Sequence, residues 1–127
     1  MSHPVMQEEE HTISTAQMRY LYKIYQISLT KPEVLSADIA RKLKVTKPSV
    51  VKMLAVLSEK NLIFKKRYGK ISITDAGIQV AHEYECRIKK MMSLIPKMGL
   101  PLSEQEVLDS AFVLADTLPE KVWEPVE

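Results

Sequence analysis

The chain has 127 residues, 46% hydrophobic and 27% charged, with a net charge of +2. This suits one domain, or one compact domain with a helical extension, and excludes a fibrous or low-complexity chain. No apolar run approaches the roughly 18 residues that span a bilayer, the acidic start Met1-Ser-His-Pro-Val-Met-Gln-Glu-Glu-Glu10 has no apolar core of the signal-peptide kind, and the single cysteine, Cys86, excludes an internal disulfide and favours a reducing, cytoplasmic setting.

Residues 1–13 read as a flexible tail. Ser14-Thr-Ala-Gln17 then fits a capping box, in which a serine oxygen and a glutamine amide satisfy the free amides of a helix start. Tyr20, Leu21, Ile24, Tyr25 and Ile27 follow at helical spacing, and Pro32 predicts a stop near Thr30. Ser36 is the expected N-cap of a short helix, Ala37 to Leu43. Thr46 is the expected N-cap of the next, with Pro48 in the first turn and Val50, Leu54 and Leu57 on its inner face. Two short helices separated by Lys44-Val45 form a helix-turn-helix pattern.

Leu62 to Lys66 and Lys70 to Ile73 read as two strands joined by Arg67-Tyr68-Gly69, where Gly69 can supply a positive φ. A hairpin directly after a helix-turn-helix makes a winged helix. Thr74 caps a long helix whose apolar line is Ala81, Tyr84, Ile88, Met91 and Ile95. Glu83 with Arg87, and Glu85 with Lys89, form i,i+4 pairs in the favourable order. Pro96 and Gly99 end that helix, and Ser103-Glu-Gln-Glu106 is a second capping box. Val107, Leu108, Ala111, Phe112, Leu114, Ala115 and Leu118 make the last main helix apolar over a wide face, partly for packing within the subunit and partly for a second subunit. A final turn runs from Thr117 towards Trp123. The expected fold is therefore mainly α with a small β-hairpin: a winged-helix DNA-binding domain over 14–75 and a helical dimerisation domain over 76–127.

Charge is distributed unevenly. Residues 41–70 hold ten Lys/Arg and one acid, Glu59, a net +9, while the rest holds eight basic and fifteen acidic residues, a net −7. A basic block in an otherwise acidic protein is the footprint of a polyanion partner, although a merely solvated basic face has the same composition. What separates the two is apolar residues among the charges. With Val50, Leu54 and Leu57 inward, Lys47, Pro48, Ser49, Val51 and Lys52 fall on or near the outer face, in the half of a recognition helix that meets base edges. Lys52 can donate to guanine, Val51 can touch a thymine methyl, and Ser49 can donate or accept. Thr46 and the first-turn amides suit phosphate, and Ser36 is counted with the DNA-binding residues. Lys65, Lys66, Arg67 and Lys70 lie on the wing, where such charges position the protein on the duplex rather than read it.

The segments Met18-Arg-Tyr-Leu-Tyr-Lys-Ile-Tyr25, Ser36-Ala-Asp-Ile-Ala-Arg-Lys-Leu43, Pro48-Ser-Val-Val-Lys-Met-Leu54, Leu62-Ile63 and Ile73-Thr74-Asp-Ala-Gly77 together resemble the diphtheria-toxin-repressor and manganese-transport-regulator family over roughly residues 16–124. The resemblance implies a homodimeric transcriptional repressor on near-palindromic double-stranded DNA, in a short form without the family's further C-terminal domain. It also implies a manganese or iron site. The corresponding ligand positions here read Arg19, Tyr22, Ile88, Phe112, Ala115 and Asp116, and only Asp116 is a plausible ligand. The expectation is therefore no cofactor and a degenerate metal site, with an unknown small-molecule or protein effector left open.

Two rival readings remain, with catalysis a distant third. A metal-responsive repressor could use altered ligands such as His82, Cys86 and Asp116, because His82 and Cys86 have i,i+4 ligand spacing on one helix. A winged helix can also serve as a protein-interaction adaptor. An enzyme is not expected: there are three glycines, no phosphate-binding loop and no hydrolytic motif, and only His82 stands near the lone cysteine as a base. His3 and His11 fall in the tail.

Overall fold

The computed structural model describes residues 13–124; the expected tail, with His3 and His11, lies almost wholly outside them. The described residues form two compact units, divided between Ala81 and His82.

The first unit opens with α1 (Thr15–Ser28), started by the expected capping box: Ser14 Oγ accepts from the Gln17 amide at 3.1 Å, and Gln17 Oε1 accepts from the Ser14 amide at 3.1 Å. Next come a two-residue strand, β1 (Val34–Leu35), then α2 (Ser36–Leu43) and α3 (Lys47–Glu59). The hairpin is β2 (Ile63–Lys65) and β3 (Lys70–Ile73), joined by a tight 3-10 turn at Arg67–Gly69. The sheet has three antiparallel strands in the order β1-β3-β2, with Val34 opposite Ile71 and Ile63 opposite Ile73. Leu21, Ile24, Ile39, Val50, Leu57, Ile63 and Ile71 are its fully or almost fully buried centre. Burial of such side chains stabilises by about 1.5–3 kcal/mol each relative to exposure, which holds the short elements together.

Two local expectations need correction. β1 had no alternation long enough to show in the sequence; it exists because β3 offers it an edge. As a consequence, α2 begins at Ser36 itself, and its N-cap is Leu35, with no side-chain bond. The β1–β3 pairing holds Leu35 extended (φ −98°, ψ 137°), so the chain turns from strand to helix one residue earlier than a serine cap would place it.

The helix α4 (Asp75–Leu94) crosses the unit boundary. Thr74 caps it, its Oγ1 accepting from the Gly77 amide at 2.9 Å. Gly77 is required by close packing: a Cβ there would overlap the Leu62 carbonyl oxygen and lie 2.8 Å from Ile73 Cγ1. In the second unit, α4 passes into a 3-10 turn (Ile95–Met98) ended by Gly99 at φ +74°. Then α5 (Glu104–Thr117) starts with the second expected capping box, at Ser103 and Glu106. Ala81, Tyr84, Ile88, Met91 and Ile95 are all buried, as their spacing predicts. Glu85 and Lys89 pair at 3.7 Å. Arg87, however, turns from Glu83 to Glu120, which holds its guanidinium with two bonds of 3.0 and 2.6 Å, while the guanidinium carbon lies 5.3 Å from the Trp123 ring centroid. A planar fork prefers two parallel bonds to one i,i+4 contact. Among the described residues no helix is long and apolar enough to cross a membrane.

Candidate nucleic-acid interface

The recognition helix is α3. Thr46 caps it, with Oγ1 accepting from the Ser49 amide at 3.3 Å and lying 2.9 Å from Ser49 Oγ. The two hydroxyls therefore share one hydrogen bond, leaving less free capacity for DNA than either residue type promises. Val50, Leu54 and Leu57 are buried as expected. Opposite them Lys47, Pro48, Ser49, Val51 and Lys52 are exposed, Val51 by 63%. An exposed valine between two lysines is what a base-reading face needs and a solvated face does not.

On the wing, Lys65, Lys66, Arg67 and Lys70 are all exposed. The structure divides them. Lys66 and Lys70 reach Glu33, just before β1, at 3.3 and 3.6 Å. The Lys66 hydrogen bond, with the charge of Lys70 behind it, holds the Glu33 carboxyl below its ordinary value. These two lysines brace the wing against the chain leading into β1 before they do anything else. Lys65 and Arg67 make no ion pair among the described residues. Elsewhere in the basic block, Arg41 is held by Asp38 at 2.9 Å and Lys60 donates to Gln17 at 2.7 Å. Among the described residues, the positive charge of the block that has no ion-pair partner is thus concentrated at Lys42, Lys44, Lys47, Lys52, Lys65 and Arg67. Ser36 is half-buried at the start of α2, against the wing turn: a Cβ on Gly69 would lie 2.9 Å from Ser36 Oγ.

Three residues of this surface were missed in the sequence. Glu33 carried no signal, because its partners are more than thirty positions away. Phe64 and Tyr68 were visible as aromatics within a basic hairpin; the structure leaves them 56% and 89% exposed.

The positions tied by resemblance to a metal are occupied differently. Tyr22 is buried and stacks on Tyr25 with centroids 6.3 Å apart. In the second unit Ile88 and Ala115 are core residues, Phe112 packs on Tyr84 with centroids 6.1 Å apart, and Asp116 Oδ1 accepts from Tyr84 Oη at 2.7 Å. His82 Nε2 lies 3.7 Å from Cys86 Sγ, beside a cleft of about 440 Å³ also lined by Glu83, Arg87, Glu120 and Trp123. Among the described residues no three His, Cys, Asp or Glu side chains come together as a metal site would require, so His82, Cys86 and Asp116 do not converge on one.

A three-helix core, a recognition helix entered through a Thr-Lys-Pro start and a braced basic hairpin define a winged-helix DNA-binding protein. Residues 11–71 match the family model described as iron dependent repressor, N-terminal DNA binding domain. Solved structures with the same fold include a hypothetical protein from Sulfolobus solfataricus (22% identity, covering 87% of this chain and 84% of that one, TM-score 0.69). The manganese regulator SloR is similar at 22% identity over 84% of this chain, with a TM-score of 0.72; the match spans 49% of the SloR chain. MepR of Staphylococcus aureus in complex with DNA is similar at 24% identity, over 89% of this chain and 81% of that one, with a TM-score of 0.59. No curated protein matches by sequence. The chain is a DNA-binding transcriptional regulator of the winged-helix type.

Proposed function

We propose that the protein is a homodimeric repressor that reads a near-palindromic operator, one α3 per half-site, without a metal at the family's ligand positions. The observation that carries this reading is the outer face of α3, where exposed Val51 sits between exposed Lys47 and Lys52, within reach in sequence and fold of the braced wing. Lys52 and Val51 read base edges, while Thr46, Lys47, Lys65 and Arg67 hold phosphates. Dimerisation draws on the second unit, which exposes Leu94, Met98, Leu100, Leu102 and Val113. Two-fold symmetry then sets the half-sites about one helical turn, or a multiple of it, apart.

The absence of metal dependence is supported by donor chemistry. A divalent ion needs several oxygen or nitrogen donors at once. The corresponding positions in the second unit offer one carboxylate, Asp116, and it already accepts from Tyr84. The His82–Cys86 pair favours the rival, metal-responsive reading, with two donors on one helix face.

Selection of bound sequences from a random duplex pool, with and without chelator, tests all three possibilities. Enrichment of an inverted repeat regardless of chelator is the expected result. A motif lost on chelation would transfer the switch to metal, and a pool that never enriches would favour a protein-interaction adaptor.

A further inference from the structure

Tyr68, at the tip of the wing, holds a conformation that its residue type does not favour. Among the described residues three non-glycines have positive φ: Lys44, Asn61 and Tyr68. Lys44 is the left-handed residue that closes α2, a normal use of that conformation, and Asn61 is a residue type that tolerates it. Tyr68 has neither excuse. It has φ +62° and ψ +35°, and Gly69 follows at φ +71°. The Lys70 amide closes the turn on the Arg67 carbonyl. Two central residues with positive φ make the tight hairpin turn usually built on Asn-Gly or Gly-Gly. Here a bulky aromatic occupies the position where asparagine is the natural choice.

The ring also does nothing for the fold, being 89% exposed, more than any other large apolar side chain among the described residues. The turn beneath it is held firmly. Gly69 lies against Ser36, and Lys66 and Lys70 both grip Glu33. Lys65 and Arg67, with no ion pair among the described residues, stand on the same hairpin. A strained residue kept in place by its surroundings points to function rather than folding.

We propose that Tyr68 enters the minor groove of the DNA beside the half-site read by α3, and that it favours A·T pairs there. The inference rests on the proposed function above. A flat ring on a two-stranded tip is narrow enough for the groove, and apolar side chains commonly contact or wedge base steps there. A·T pairs present only acceptors in that groove, A N3 and T O2, to which the phenol hydroxyl can donate, whereas G·C adds an amine. The lysine and arginine beside it meet the flanking phosphates.

The test uses the full chain and the duplex enriched in the selection above. Tyr68→Asn keeps a residue suited to the turn, so folding is preserved. It is expected to weaken binding about tenfold, the scale of one good base contact, with the slope of log K against log salt unchanged. Tyr68→Phe is expected to keep most of the affinity but lose the preference when flanking A·T pairs are changed to G·C. Binding by Tyr68→Asn within about twofold of the wild type overturns the inference. So does a loss accompanied by a shallower salt slope, because that would mean the wing cations had moved. Failure of the wild-type chain to bind any duplex would instead remove the proposed function itself.

Discussion

Asp38 is a nearly buried carboxylate inside the helix-turn-helix, with 8% of its side chain exposed. The Lys31 ammonium at 3.2 Å, and Arg41 after it, hold its carboxyl below the ordinary 3.8 against the opposing effect of burial. Because the folded value is depressed, its contribution to stability is present at neutral pH and is lost as pH falls through the carboxylate range. The difference in Tm between wild type and Asp38→Asn should therefore be widest above about pH 5 and narrow as pH falls below the unfolded value. A difference constant from neutral to acid pH would show that the ion pairs contribute nothing. The cations of the DNA face divide in the same residue-by-residue way. Lys52→Ala should cost roughly 1–3 kcal/mol and relax preference at one base position. Lys65→Ala should weaken all sequences alike and flatten the salt slope by about 1. Lys66→Ala should do less than Lys65→Ala, since Glu33 already neutralises part of its charge. Identical behaviour of Lys52→Ala and Lys65→Ala in competition binding would end the division between reading and positioning residues.

The elements of the first unit depend on one another more than on their own propensities. The helix α2 has eight residues, too few to persist alone. It is held because Ile39 is fully buried and because β1 delivers the chain to its first turn. The start of α4 is docked in a comparable way, with Gly77 against the Leu62 carbonyl and Thr74 Oγ1 donating to the Asn61 carbonyl at 2.9 Å. Gly77→Ala is a good helix former on propensity but should destabilise the fold by about 1–3 kcal/mol or more, because backbone on the far side cannot move aside cheaply. Chemical denaturation measures this directly, and a neutral or stabilised variant would contradict the packing. Much of this was legible beforehand. Both capping boxes, the Thr46 and Thr74 caps, the Gly69 turn and the apolar lines of α3 and α4 follow from rules acting over three or four residues. β1 and the Leu35 start of α2 were not legible, because a two-residue strand has no pattern of its own.

At the scale of the whole molecule the property to measure is charge. Lys47, Lys65 and Arg67 are three phosphate-holding cations on the recognition helix and wing, with no ion pair among the described residues, so a dimer brings six to its operator. Each neutralised phosphate releases counterion, and the slope of log K against log salt should be about −5 for the dimer and about half that for one subunit. A titration from about 50 to 200 mM salt distinguishes the two, and a slope shallower than about −2 would rule out this assignment of charges. Sedimentation of the free protein provides the independent check on dimerisation.

The amino-acid sequence by itself determined the periodicities, the caps and the concentration of positive charge in residues 41–70. Together these specify a helix-turn-helix and a basic hairpin, because each rests on neighbours a few positions apart. Only the tertiary structure decided which of those charges are free. Arg41, Lys60, Lys66 and Lys70 are engaged by Asp38, Gln17 and Glu33, and most of those contacts join residues far apart in the chain. It also decided that Tyr68 stands out from the wing in a conformation that asparagine or glycine would adopt more readily. Exposure and pairing are properties of the packed chain, and no local pattern contains them.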